Sequence, residues 1–108
     1  MEDLREKPII EEFKRRVEQR FPGELVRLVV FGSKVRGEAT AESDVDLLAV
    51  IQSDNWRLGD EIRGVGYALE LEHAVVLSIH VISRNHYDRM RASGTQFFHV
   101  LDQEGVVV

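Results

Sequence analysis

The chain has 108 residues, 44% hydrophobic and 31% charged, with fourteen Lys and Arg against nineteen Asp and Glu for a formal charge of −5. That length suits one hydrophobic core and is too short for two, so a single domain over residues 1–108 is expected. The acidic balance opposes the field that sequence-independent binding to DNA or RNA needs, and the absence of cysteine excludes disulfide frameworks, zinc ribbons and thiolate catalysis.

Pro8 suits the first turn of a helix, and Ile9, Ile10, Phe13 and Val17 follow at helical spacing until Phe21-Pro22-Gly23 breaks the pattern. Leu25 to Phe31 is short, valine-rich and bounded by Pro-Gly and Gly-Ser, which predicts a buried strand ending at a Gly32 turn. After a small, polar stretch from Ser33 to Ser43, Val45 to Ile51 is a second apolar run of strand length, so two neighbouring strands are predicted. Leu58, Ile62, Val65 and Leu69 lie on one face of a helix from about Trp56 to His73, slightly weakened by Gly64 and Gly66. Ala74 to Ser83 returns to a β-rich run. Asn85 to Arg91 and Phe97 to Leu101 read as short helices, ahead of Gly105 and three terminal valines. The order α-β-β-α-β-α predicts an α/β (α+β) fold, a small mixed sheet with helices packed on one side. No apolar run reaches the roughly 18 residues of a membrane span. The start, MEDLREKP, lacks the apolar core of a signal peptide, so a cytoplasmic protein without membrane attachment is expected.

Residues 32 to 46 read GSKVRGEATAESDVD, a Gly-Ser pair followed after ten residues by Asp-x-Asp. Either half alone is ordinarily a turn or a solvated strand end. Together they form a chemical set. A strand that ends in a tight glycine turn points backbone N–H groups at one spot, a helix beginning at Ser33 would add its positive end, and the Ser33 hydroxyl can donate a further bond, all suited to phosphate oxygens. Asp44 and Asp46, at i and i+2 along a strand, project to one side while Val45 and Leu47 point into the core. Paired carboxylates bind Mg²⁺, which commonly takes one or two of them plus substrate phosphates. The chemistry this predicts is in-line transfer at phosphorus on ATP or another nucleoside triphosphate.

The Gly-Ser-x10-Asp-x-Asp spacing, with Arg36 and Gly37 between and a hydrophobic strand after the pair, closely resembles the minimal nucleotidyltransferases of the DNA polymerase β-like superfamily, including the MNT-type antitoxins of HEPN/MNT pairs. The resemblance spans nearly the whole chain. It implies a nucleotidyl transfer fold in which Gly32 and Ser33 hold the triphosphate, with Arg36 beside them, and Asp44 and Asp46 hold Mg²⁺. It also implies a working partner, since members often act with a separate helical protein as a toxin–antitoxin pair or a two-part transferase, and some transfer AMP onto the partner toxin.

The superfamily usually adds a third carboxylate from the strand after the long helix. Here that strand reads AVVLSIHVIS, which places His80 at the expected aspartate, or Ser78 if the register slips by two. Imidazole accepts a proton near neutral pH but is a poorer Mg²⁺ ligand than a carboxylate. His80 is therefore the third candidate catalytic residue beside Asp44 and Asp46. Two readings stay open: a Mg²⁺-dependent enzyme transferring AMP to a hydroxyl of a protein or small molecule, and a catalytically weak nucleotide-binding antitoxin or regulatory subunit. Glu70, Glu72 and Asp88 have no spacing that places them in the site. His73, His86 and His99 lack metal-ligand spacing and read as surface residues. Lys34 and Arg84 read as exposed solubilising charges or as groups facing triphosphate or acceptor. Trp56 and Tyr67 are left unassigned. The Phe97, Phe98, Val100 and Leu101 cluster is a candidate surface for a homodimer or a small helical partner.

Overall fold

The computed structural model describes residues 4–36 and 44–108, with Ser33 and Arg36 described by their backbone alone; Gly37 lies outside the described residues. Helix α1 (Lys7–Arg20) starts with proline in its first turn, where the missing N–H has no helical partner to lose, and buries Ile10, Phe13 and Val17 on one face. It stops at Phe21, and Gly23, at φ +81°, turns the chain into strand β1 (Leu25–Phe31). The single turn α2 (Ser33–Arg36), strand β2 (Val45–Ile51), helix α3 (Trp56–His73), strand β3 (Leu77–Ser83), helices α4 (Arg84–Ser93) and α5 (Gln96–Glu104) and strand β4 (Val106–Val107) follow.

The sheet runs β3-β2-β1-β4. β1 is antiparallel to β2 and to β4, whereas β2 and β3 are parallel. Parallel neighbours need a crossover, and α3 supplies it. Leu28, Val30, Val45, Leu47, Ala49 and Ile51 face α1 and the Ile62, Val65 and Leu69 face of α3. The opposite face carries Val29, Leu48 and Val50 against Leu101 of α5, with Tyr87 of α4 alongside. The two long helices thus lie on one side as expected, but the shorter pair covers part of the other, because the apolar face formed by Val29, Leu48 and Val50 also needs burial. β2 is buried on both faces, which is why VDLLAVI is a nearly unbroken apolar run rather than an alternating one.

Three places differ in detail from the sequence expectation. The β-rich run from Ala74 opens with a helix cap: Ala74 sits at φ 53° and its N–H bonds the Glu70 carbonyl, so β3 starts only at Leu77. The Leu77 N–H is taken by Glu70 Oε1 at 3.0 Å. The terminal valines pair with the free edge of β1, Val107 opposite Val29 and Val106 opposite Val30; a two-residue strand is too short to leave a periodic signal. The fold also distinguishes two helical glycines. A Cβ on Gly66 would run into Ile79 Cδ1 where α3 meets β3, whereas one on Gly64 would meet nothing. Gly64→Ala should therefore stabilise the protein by about 0.5–1 kcal/mol through helix propensity, and Gly66→Ala should return less or cost stability; urea unfolding of both checks this.

Candidate nucleotide site

The antiparallel register sets Phe31, the last residue of β1, opposite Asp46 near the start of β2. Gly32 follows at φ +85°, a region L-residues rarely enter, and the chain turns into α2, with the Val35 N–H donating to the Gly32 carbonyl at 3.2 Å. A Cβ on Gly32 would fall on Asp46 Oδ2, so backbone and carboxylate share one spot only because the side chain is absent. Asp44 is exposed, one residue ahead of β2, and strand alternation sets it on the side of Asp46 while Val45 and Leu47 are buried. Two adjacent carboxylates are hard oxygen donors, and their number suits Mg²⁺ completed by phosphates and water. Among the described residues, no group of three or more His, Asp and Glu gathers into a self-sufficient metal cage.

β3 completes the face. Ser78 pairs with Asp46 and His80 with Leu48, so both share the side of the sheet on which Asp46 lies. His80 is exposed, and its ring centroid stands 6.0 Å from that of Phe31. Phe97 meets Phe31 edge to face at 5.5 Å. An aromatic wall of Phe31, His80 and Phe97 therefore stands beside the carboxylates. Of the apolar C-terminal cluster, Phe98 and Leu101 are buried while Phe97 remains 36% exposed.

The other candidate charges are accounted for elsewhere. Glu70 is bound to Leu77, Glu72 pairs with Arg16 at 2.9 Å, and Asp88 lies with Arg27, Arg84 and Tyr87 around Val50, toward the opposite end of the sheet face. The Ser83 hydroxyl, then Asn85, hold the Asp54 carboxyl below its ordinary range where β3 enters α4, far along the strand from Asp46. His73, His86 and His99 are exposed, as are Trp56 and Tyr67. Two expectations need correction. α2 is a single turn, too short for an appreciable helix dipole. Lys34 is not an exposed solubilising charge: its Nζ lies 2.9 Å from Glu6 Oε1, and the side chains are only 7% and 5% exposed. An ion pair between residues so far apart in the chain leaves no local sequence signal.

A glycine turn packed on a strand carboxylate, at the start of an inner strand of a four-stranded mixed sheet with helices, is set in a nucleotidyltransferase fold. The chain belongs to the nucleotidyltransferase domain family, whose signature matches residues 10–95. It is 29% identical over 86 residues to a candidate protein adenylyltransferase of Methanocaldococcus jannaschii, a match covering 80% of this chain and 82% of the relative. A second candidate protein adenylyltransferase of that organism is 40% identical over 45 residues, which is 42% of this chain and only 31% of that longer relative. The fold also resembles a solved nucleotidyltransferase from Sulfolobus solfataricus, with TM-score 0.59 and 19% identity, over 93% of this chain and 76% of that one. A toxin–antitoxin structure determined with AMP-PNP gives 0.52 and 16%, over 90% and 70% of the two chains.

Gly23 and Gly32 have nearly the same positive φ, but only Gly32 has a neighbour in the way of a Cβ. Gly23→Ala should cost about 1 kcal/mol for the backbone alone, and Gly32→Ala about 1–2 kcal/mol more. Equal losses in chemical denaturation would show that Asp46 does not crowd the turn.

Proposed function

We propose that the chain transfers AMP from ATP to a hydroxyl of a protein or small molecule, with Mg²⁺ held by Asp44 and Asp46. The observation that carries this reading is the close approach of the Gly32 turn to the Asp46 carboxylate, which would let one ligand meet backbone N–H groups and a metal held by the carboxylate together. The family supports transfer of a nucleotidyl group, and the relatives named as candidate adenylyltransferases of proteins support AMP as the group transferred.

In this scheme the backbone at Gly32 and Ser33 receives the triphosphate, the Ser33 hydroxyl and Arg36 add donors, and Asp44 and Asp46 hold the ion. Bound there, Mg²⁺ neutralises phosphate charge and favours departure of pyrophosphate. The acceptor oxygen bonds to the α-phosphorus as the bond from that phosphorus to the pyrophosphate oxygen breaks, with the electron pair leaving on pyrophosphate. His80, exposed on the face that Asp46 shares, takes the hydroxyl proton in place of the carboxylate usual at this strand.

A second reading is favoured by one observation: the β3 residues on the Asp46 face are Ser78, His80 and Ile82, none of them an acid. The protein would then be a nucleotide-binding antitoxin or regulatory subunit, acting through a helical HEPN-type partner or as a homodimer, with Phe97 part of the docking surface. The toxin–antitoxin structure with AMP-PNP supports such a role.

Saturating Mg²⁺–ATP, at about a hundred times Kd, should add about 2.7 kcal/mol of stability by linkage, visible as a rise in Tm. Asp44→Asn with Asp46→Asn should abolish the rise, and identical responses of the two proteins would refute the metal assignment. With labelled ATP and an acceptor, His80→Ala should slow transfer about a hundredfold at unchanged nucleotide affinity. His80→Asp should exceed the wild type, because a carboxylate restores the usual ligand and base; slower transfer by His80→Asp would mean that the imidazole is itself the working group or that the third acid comes from elsewhere.

A further inference from the structure

The Glu6–Lys34 pair is placed where stability alone does not explain it. Both side chains are more than nine-tenths buried, Nζ and Oε1 are 2.9 Å apart, and Glu6 Oε2 is buried without a hydrogen-bond partner. Removing two charges from water is costly, and a buried pair seldom contributes more than the apolar side chains that would fill its space. The unsatisfied oxygen adds to that cost. What the pair does connect is the start of α1 and the turn after β1. Glu6 is set at the start of α1, its carbonyl accepting from the Ile9 and Ile10 N–H groups at 3.0 Å, and α1 is anchored by fully buried Ile10, Phe13 and Val17. Lys34 lies two residues after Gly32, on a helical turn too short to hold its own shape. Val35 packs on the core from the same turn, so α2 is held at two successive residues, one apolar and one ionic.

We propose that Glu6 and Lys34 are positioning residues for the nucleotide: the pair transmits the rigidity of the α1 core to α2 and so fixes the direction in which the Gly32–Ser33 backbone meets the triphosphate. This rests on the nucleotide reading of the site. Lys34 acts through the turn and not as a ligand of phosphate, because its side chain is only 7% exposed and its ammonium is held against Glu6. Loss of the pair therefore weakens nucleotide binding, while the carboxylates and His80 keep their roles in transfer.

The experiment uses the full chain with Glu6→Gln and with the double change Glu6→Met and Lys34→Met, which refills the space without charge. Three quantities are measured: Tm, KM and kcat with Mg²⁺–ATP, and hydrogen exchange at the amides of residues 33–35. Loss of a partner that orients a binding group commonly weakens affinity by 10–100-fold, so KM should rise about tenfold in both variants, with kcat at saturation within about twofold. The double variant should keep or exceed the wild-type Tm, yet its amides at 33–35 should exchange about tenfold faster. A merely structural pair would leave KM and exchange at wild-type values in the folded double variant, which would overturn the proposal. If Lys34 were itself the phosphate ligand, Glu6→Gln would strengthen binding by removing a competing charge, and that too would overturn it. If the wild type bound no nucleotide, the reading of the site would fall, while exchange at 33–35 would still decide whether the pair fixes the turn.

Discussion

A backbone without a side chain lying against a carboxylate is the constraint on which the site depends. Gly32 and Asp46 occupy space that an alanine and an aspartate could not share, and the positive φ at Gly32 is itself a conformation glycine adopts at little cost. The contact exists because β1 and β2 pair antiparallel with Phe31 opposite Asp46, so the end of one strand and the start of the next coincide. Shifting that register by one residue would turn Asp46 into the core and Leu47 out of it. Asp46, the one polar residue in an otherwise apolar strand, makes that slip costly, while burial on both faces holds β2 inside the sheet.

The rest of the molecule supplies rigidity to this point from two directions. On one face, α1 and α3 bury the larger core and, through Glu6 and Lys34, reach the turn that follows β1. On the other face, α4 and α5 cover only part of the sheet, leaving Phe31, His80 and Phe97 beside Asp46. Both sheet faces contribute buried side chains, the larger cluster beneath α1 and α3 and the smaller one beneath α5.

The strands β1 and β2 and the helix α3 were legible residue for residue because each is bracketed by strong local signals. Pro22-Gly23 and Gly32 enclose β1, and the apolar spacing of Leu58, Ile62, Val65 and Leu69 marks α3. The Gly-Ser and Asp-x-Asp pairs were legible for the same reason: their spacing lies within one stretch of chain. The sequence leaves Lys34 open between a surface charge and a group facing triphosphate or acceptor, because its partner is Glu6, on another element, and sequence offers no means of pairing two charges so far apart. Phe97 and Phe98 were one apolar cluster in sequence; their separation into an exposed and a buried ring required α5 to dock against β1 and Tyr87.

The sequence by itself determined the order and nature of the main elements and the family they belong to, because local periodicity, turn chemistry and a short-range motif are properties of neighbouring residues. Only the tertiary structure decided that Ser78 and His80 share the Asp46 face, that β4 closes the edge of β1, and that Lys34 is held by Glu6 inside the protein. The first two depend on which strands become neighbours and in what register, the third on how α1 docks beside the turn after β1, and all are settled by burial of the whole sheet and its helices rather than by any one segment of chain.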